Sequence, residues 1–212
     1  MTAAVLPMPL FQGHLDQDAE PVKNILSAAE RCLWRSGYGG MSIRDVAEEA
    51  GVSKSLLHYH FRSKEHLLLE VQVGVYNRLA AHVTDAVRSA EPGSERGLLA
   101  FDALVESLRS VPELPVLAEL QTRALSNPKL RTHALRMREY LCNLIEEMFA
   151  SILGPEMERF PMPPRVAADL LLGLLVGVGL QSGLDEDRER TDATLGGFRV
   201  LVALALGELN KE

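Results

Sequence analysis

The sequence predicts an all-α protein, a small basic head carried on an acidic helical body, and three observations carry that prediction. Apolar residues recur at steps of three and four along most of the chain. Aromatic residues make up only 5%, and alternating runs of Val, Ile, Thr and Tyr that would mark strands are missing. Serine caps and Gly or Pro stops punctuate the periodic stretches. With 212 residues, 47% hydrophobic and 24% charged, the chain can bury a substantial core. Its 22 Lys and Arg against 29 Asp and Glu exclude a protein that coats nucleic acid through bulk charge alone. The two cysteines, Cys32 and Cys142, lie far apart, so no disulfide framework and no cysteine-rich zinc site is available, and a reducing cytoplasm is the expected compartment.

Residues 1–19 read as a flexible arm. Residues 1–13 hold no Lys or Arg and are interrupted by Pro7 and Pro9, which is not the pattern of a signal peptide. The first helix is expected from about Glu20 to Ser36, with Val22, Ile25, Leu26, Ala29, Cys32 and Leu33 in one stripe and Gly37 as a left-handed stop. Ser42 opens a short helix as N-cap, Asp45 completes a capping box, and Met41 is placed to staple onto Val46. Gly51 ends that helix and Ser53 caps the next, with Val52 and Leu57 at the staple positions. Ser63 then caps a longer helix reaching about Arg88, before the break at Glu91 to Ser94.

Further helices are expected near residues 95–110, 113–125, 128–152, 164–184 and 189–210. Gly154 to Pro164, with prolines at 161, 163 and 164, reads as a loop. The apolar run Leu170 to Leu180 contains three glycines and is shorter than the roughly 20 residues a membrane helix needs, so no span is expected.

From Ser42 to Phe61 the mechanics are those of a helix-turn-helix: a capped short helix, a turn holding Gly51, and a second capped helix. Helix pairs with Gly turns also occur inside bundles that never meet DNA, so the punctuation alone leaves both readings open. The outward residues favour nucleic acid: Arg44, Lys54, Ser55, His58, Tyr59, His60, Arg62 and Lys64 gather donors and aromatics that suit phosphates and base edges. Residues 20–64 carry seven Lys and Arg against five Asp and Glu, whereas residues 65–212 carry fifteen against twenty-two. Such a chain can touch DNA at the head only.

The run Leu33-Trp34-Arg35-Ser36-Gly37-Tyr38, then Ser42-Ile43-Arg44-Asp45-Val46-Ala47, Ala50-Gly51-Val52-Ser53, Leu57-His58-Tyr59-His60-Phe61 and Ser63-Lys64-Glu65 resembles the TetR family of bacterial transcriptional regulators. Beyond Leu67 the likeness rests on length and helix count. The resemblance implies a homodimer bound to a double-stranded DNA operator, a third helix in the major groove, and an all-α C-terminal part that dimerises and takes a small effector. It implies three domains: the arm 1–19, a helix-turn-helix domain 20–66 and an effector and dimerisation domain 67–212. By matching positions, Arg44, Lys54, Ser55 and Leu56 fall where the family approaches bases, and Ser42, His58, Tyr59, His60 and Lys64 where it grips the backbone. His58 stands where a tyrosine is usual. Ser53, as N-cap, keeps the first-turn amides near the groove, where the helix dipole favours phosphate.

Outside the head, Trp34 is expected to pack in the core, and Cys32 and Cys142 to be buried, inert thiols. His58 and His60 lie two apart on a helix and face different ways, so no metal and no cofactor is expected. A nearly all-apolar helix with Gly173 and Gly177, followed by one with Leu195, Phe198, Val202 and Leu206, needs covering on every side. Two subunits pairing these helices would form a four-helix interface through those six residues. The expected effector lining is Phe101, Leu104, Leu117, Gln121, Met137, Tyr140, Leu141, Leu144 and Leu174, mostly apolar with a few polar handles, which suits an apolar or amphipathic ligand. Solid core is the competing reading of those residues. No nucleophile elbow, phosphate loop or paired metal ligand appears, so an enzyme is not expected. The rival reading is a helical ligand carrier or enzyme that retains an unused helix-turn-helix head.

Overall fold

A computed structural model describes residues 19–110, 114–184 and 189–207. Among the described residues every regular element is helical: α1 (Glu20–Gly40), α2 (Ile43–Glu49), α3 (Lys54–His60), α4 (Lys64–Ala86), α5 (Ser94–Ser110), α6 (Leu114–Ala124), α7 (Pro128–Leu153), a 3-10 turn (Gly154–Arg159), α8 (Pro164–Ser182) and α9 (Glu189–Gly207). The all-α class is as expected. The expected arm and the outermost residues of the helices placed near 113 and 210 lie outside the described residues. The chain folds into two compact units. One holds the described residues up to Asn77 together with Glu119–Met137, and the other holds Arg78–Ala118 and the described residues from Arg138 on.

In the first unit α1 buries Val22, Ile25, Ala28, Ala29, Cys32 and Leu33. Trp34 is a correction: it is 51% exposed, because it follows Leu33 by one residue and so points about 100° away from the buried stripe. Gly37 takes φ 64°, a left-handed conformation that costs a residue with Cβ, and α1 bends there before running on to Gly40. Ser42 and Asp45 form the expected capping box: the Asp45 N–H donates to Ser42 Oγ at 3.2 Å, and the Ser42 N–H donates to Asp45 Oδ2 at 3.0 Å. Gly51 makes the turn with φ 68°, and the Val52 N–H closes back on the Ala47 carbonyl at 2.9 Å. Ser53 and Ser63 cap as expected, accepting from the N–H groups of Leu56 and His66 at 3.1 Å each. Met41, Val46, Ala47, Leu57 and Phe61 close the core of the head.

In the second unit α5 and α9 pair. Arg199 on α9 reaches Asp102 on α5 with two nitrogens, at 2.6 and 2.9 Å, and Arg109 Nε meets Asp192 at 3.0 Å. Exposed pairs like these add little stability; they set register over the apolar contacts beneath them. One cluster gathers Val83, Val87, Ala100, Ile152, Leu153 and Leu206, and a second gathers Leu108, Leu175, Val178 and Leu195. The stretch expected as a loop after Leu153 winds into a 3-10 turn. Gly154 adopts φ 57° at its start, and Ser94 Oγ donates to Glu156 Oε2 at 2.7 Å within it.

Candidate nucleic-acid interface

The α2–turn–α3 unit is built from the inside out. Leu57 and Phe61 are fully buried, and the Phe61 N–H bonds the Leu57 carbonyl at 2.8 Å, so α3 has one orientation in which its apolar side is covered. That orientation leaves Lys54, Ser55, His58 and Tyr59 exposed, with Leu56 and His60 half-buried. Tyr59 stands out furthest, 81% exposed, edge-on to the His60 ring with centroids 5.0 Å apart. Ser42, Arg44 and Ser53 are exposed on the α2 side.

Not every cation of the head is available. Arg31 and Arg35 are spoken for by Glu49, at 2.9 and 3.2 Å, and their hydrogen bonds hold the Glu49 carboxyl below the usual carboxylate range. Among the described residues Arg44 and Lys54 enter no ion pair. The Asp45 carboxyl beside Arg44 is itself held low by its hydrogen bonds from Ser42.

Lys64, expected at the DNA backbone, has partners within the head. It is half-buried, its ammonium donates to the Tyr38 carbonyl, and it lies 4.2 Å from the Tyr38 ring centroid. Burial pushes its pKa down. The reason lies in Gly37, whose left-handed turn places Tyr38 beside the start of α4. The sequence carries no signal for this, nor for Arg123 and Glu119, far along the chain, which meet the same corner.

The residues expected at a subunit seam divide. Leu195 and Leu206 are corrections, since both are buried within their own chain in the two clusters described above. Gly173 is exposed, and Gly177, Phe198 and Val202 are half-buried. The outer face of α8 instead runs Val166, Leu170, Gly173, Gly177, Leu180, in alternating four- and three-residue steps, and α9 repeats the rhythm with Gly197, Val200, Leu204 and Gly207. Leu170 is 60% exposed and Leu204 64%. A Cβ built on Gly173, Gly177, Gly197 or Gly207 meets nothing within 4 Å. By length and composition α8 is apolar enough to cross a membrane. Its inner face packs Ala168, Leu175 and Val178 into this unit, and its Asp169 accepts from Arg138 at 2.8 Å.

Of the expected effector lining, Phe101, Leu117 and Leu141 are buried in the second unit. Leu104 and Leu174 pack on one cluster there, and Tyr140 and Leu144 are half-buried. Met137, fully buried, and Gln121, half-buried, belong to the first unit. Cys32 and Cys142 are buried, as expected, and burial raises both thiol pKa values.

Residues 25–71 match the model of bacterial regulatory proteins, tetR family. The chain is 29% identical over 117 residues to the HTH-type transcriptional repressor AcnR of Corynebacterium efficiens, covering 55% of this chain but only 57% of AcnR. It thus spans little more than half the length of that relative. It is 20% identical over 203 residues to the HTH-type transcriptional regulator UidR of Escherichia coli K12, covering 91% and 96% of the two chains. Among solved structures, the transcriptional regulator FadR from Bacillus subtilis in complex with stearoyl-CoA superposes with TM-score 0.66 at 17% identity, covering 85% of this chain and 97% of that one.

Proposed function

We propose that this chain, whose residues 25–71 match the model of bacterial regulatory proteins, tetR family, is a repressor, released from a palindromic DNA operator by a small effector. The observation that carries the reading is the outward row on α3. Lys54, Ser55, His58 and Tyr59 stand exposed over a fully buried Leu57 and Phe61, with Arg44 exposed beside them. A helix pair kept only for packing has no use for that row. Arg44 and Lys54 are the groups able to read guanine, each good base contact giving about 1–3 kcal/mol of discrimination.

The glycine-rich outer stripes of α8 and α9 support a homodimer. Close backbone approach of two such stripes forms a four-helix seam, and a two-fold axis then sets two reading heads about 34–36 Å apart, one turn of B-DNA. An apolar or amphipathic effector suits the buried aliphatic residues of the second unit, and stearoyl-CoA in the B. subtilis regulator is a molecule of that character. Release by that effector requires it to prefer the released state by about 5.5 kcal/mol to reverse a 1:99 equilibrium.

The test is selection of duplexes from a random library by the full-length protein. A two-fold symmetric sequence is expected, and Lys54→Ala is expected to relax the preference at one position of each half-site while weakening binding by about 1–3 kcal/mol. Recovery of no preferred duplex contradicts the reading and favours the rival, a helical carrier with an idle head.

A further inference from the structure

Tyr38 gathers contacts from two elements that follow it far along the chain. Lys64, the first residue of α4, donates to its carbonyl and lies over its ring. On α6 the Arg123 guanidinium lies 5.3 Å from the same ring centroid, and Arg123 is itself steadied by Glu119 at 2.6 Å. The Glu119 and Arg123 side chains also lie against Gly37 and Gly39, each within 3.6 Å of where a Cβ would stand. Burial, with the Glu65 carboxylate beside it, raises the Tyr38 phenol pKa.

We propose that Tyr38 is a positioning residue for DNA recognition: by joining Lys64 to Arg123, it fixes the corner between α3 and α4 and gives α6 a grip on the reading helix. The argument is one of chain geometry. Only Phe61, Arg62 and Ser63 separate α3 from α4, and Phe61 is immobilised in the core. A change in the direction of the first turn of α4 is therefore taken up by α3. Cations over a half-buried ring hold that turn without the strict alignment a hydrogen bond demands. Arg123 itself lies on α6, outside the helix-turn-helix, so a change there that alters DNA binding acts through this corner. Lys64 on this account serves Tyr38 with one of its three N–H donors.

This inference rests on the DNA-binding reading above, and its test separates the two. Operator affinity is measured on the duplex that the wild-type full chain selects, for Arg123→Met, Tyr38→Leu, their double variant and Arg123→Lys. Arg123→Met and Tyr38→Leu are each expected to weaken binding about tenfold, and the double variant to be no weaker than the worse single, because both break one link. Arg123→Lys, which keeps a cation over the ring, is expected to retain most of the affinity. Wild-type affinity in Arg123→Met, or additive losses, overturns the proposal. Hydrogen exchange of the free protein decides it even if no duplex is selected: faster exchange from Leu56 to His60 in Arg123→Met supports the link, and unchanged exchange refutes it.

Discussion

Replacing both Leu170 and Leu204 by Asp gives a well-folded single subunit that holds its operator at least about a hundredfold more weakly than the parent, through lost avidity. Both side chains are mostly exposed and contribute little to the core of their own chain, so the melting temperature of the subunit changes little. In the proposed dimer the same positions are expected to meet across the seam. An unpaired carboxylate buried there costs several kcal/mol, and two per subunit exceed what a seam of small residues and leucines can offset. Light scattering reads the mass, a thermal melt the fold, and fluorescence anisotropy on the selected duplex the affinity. A dimer that survives both aspartates places the seam elsewhere.

Phe61→Ala abolishes operator binding for a different reason, by unfolding the head. The side chain is fully buried, its N–H closes α3 onto the Leu57 carbonyl, and its ring lies 5.6 Å from that of His66 at the start of α4. Truncating such a ring costs about 3–5 kcal/mol, a large share of the 5–15 kcal/mol that holds a whole domain together. Hydrogen exchange across α2 and α3 is expected to become fast while the buried amides of α8 and α9 keep their protection. The neighbouring Tyr59→Ala is the control. Tyr59 is 81% exposed, so the change is expected to leave stability within about 0.5 kcal/mol while weakening operator binding. Slow exchange in α3 of Phe61→Ala would remove Phe61 from the role given to it.

The head was legible because its signals are local. A serine cap, an Asp three residues on, a Gly with positive φ and a second serine cap each act within one turn of helix, and the structure carries all of them where the letters stand. Helical period also announced the all-α class and most helix ends. Long-range pairing was not legible. Lys64 reads as a free cation until Gly37 is seen to turn Tyr38 toward it, and Leu195 and Leu206 read as seam residues until α5 is seen to cover them. Trp34 shows a subtler limit: one residue of rotation on a helix separates core from surface, and a large aromatic invites the wrong side. The exposed stripe proposed as the seam could have been found in the letters. The four- and three-residue rhythm through Val166, Leu170, Gly173, Gly177 and Leu180 is present in the sequence, but α8 is apolar nearly all round, and periodicity cannot select one stripe from such a helix.

The central claim is that two reading heads, held one helical turn apart by a subunit seam, engage one duplex together. Sedimentation of the protein with a duplex carrying the selected sequence measures this directly, when the spacing between half-sites is varied by whole and half turns. The account predicts two chains per duplex at the native spacing and loss of the complex when one half-site is rotated by half a turn, about five base pairs. One chain per duplex, or a complex indifferent to that rotation, would contradict it.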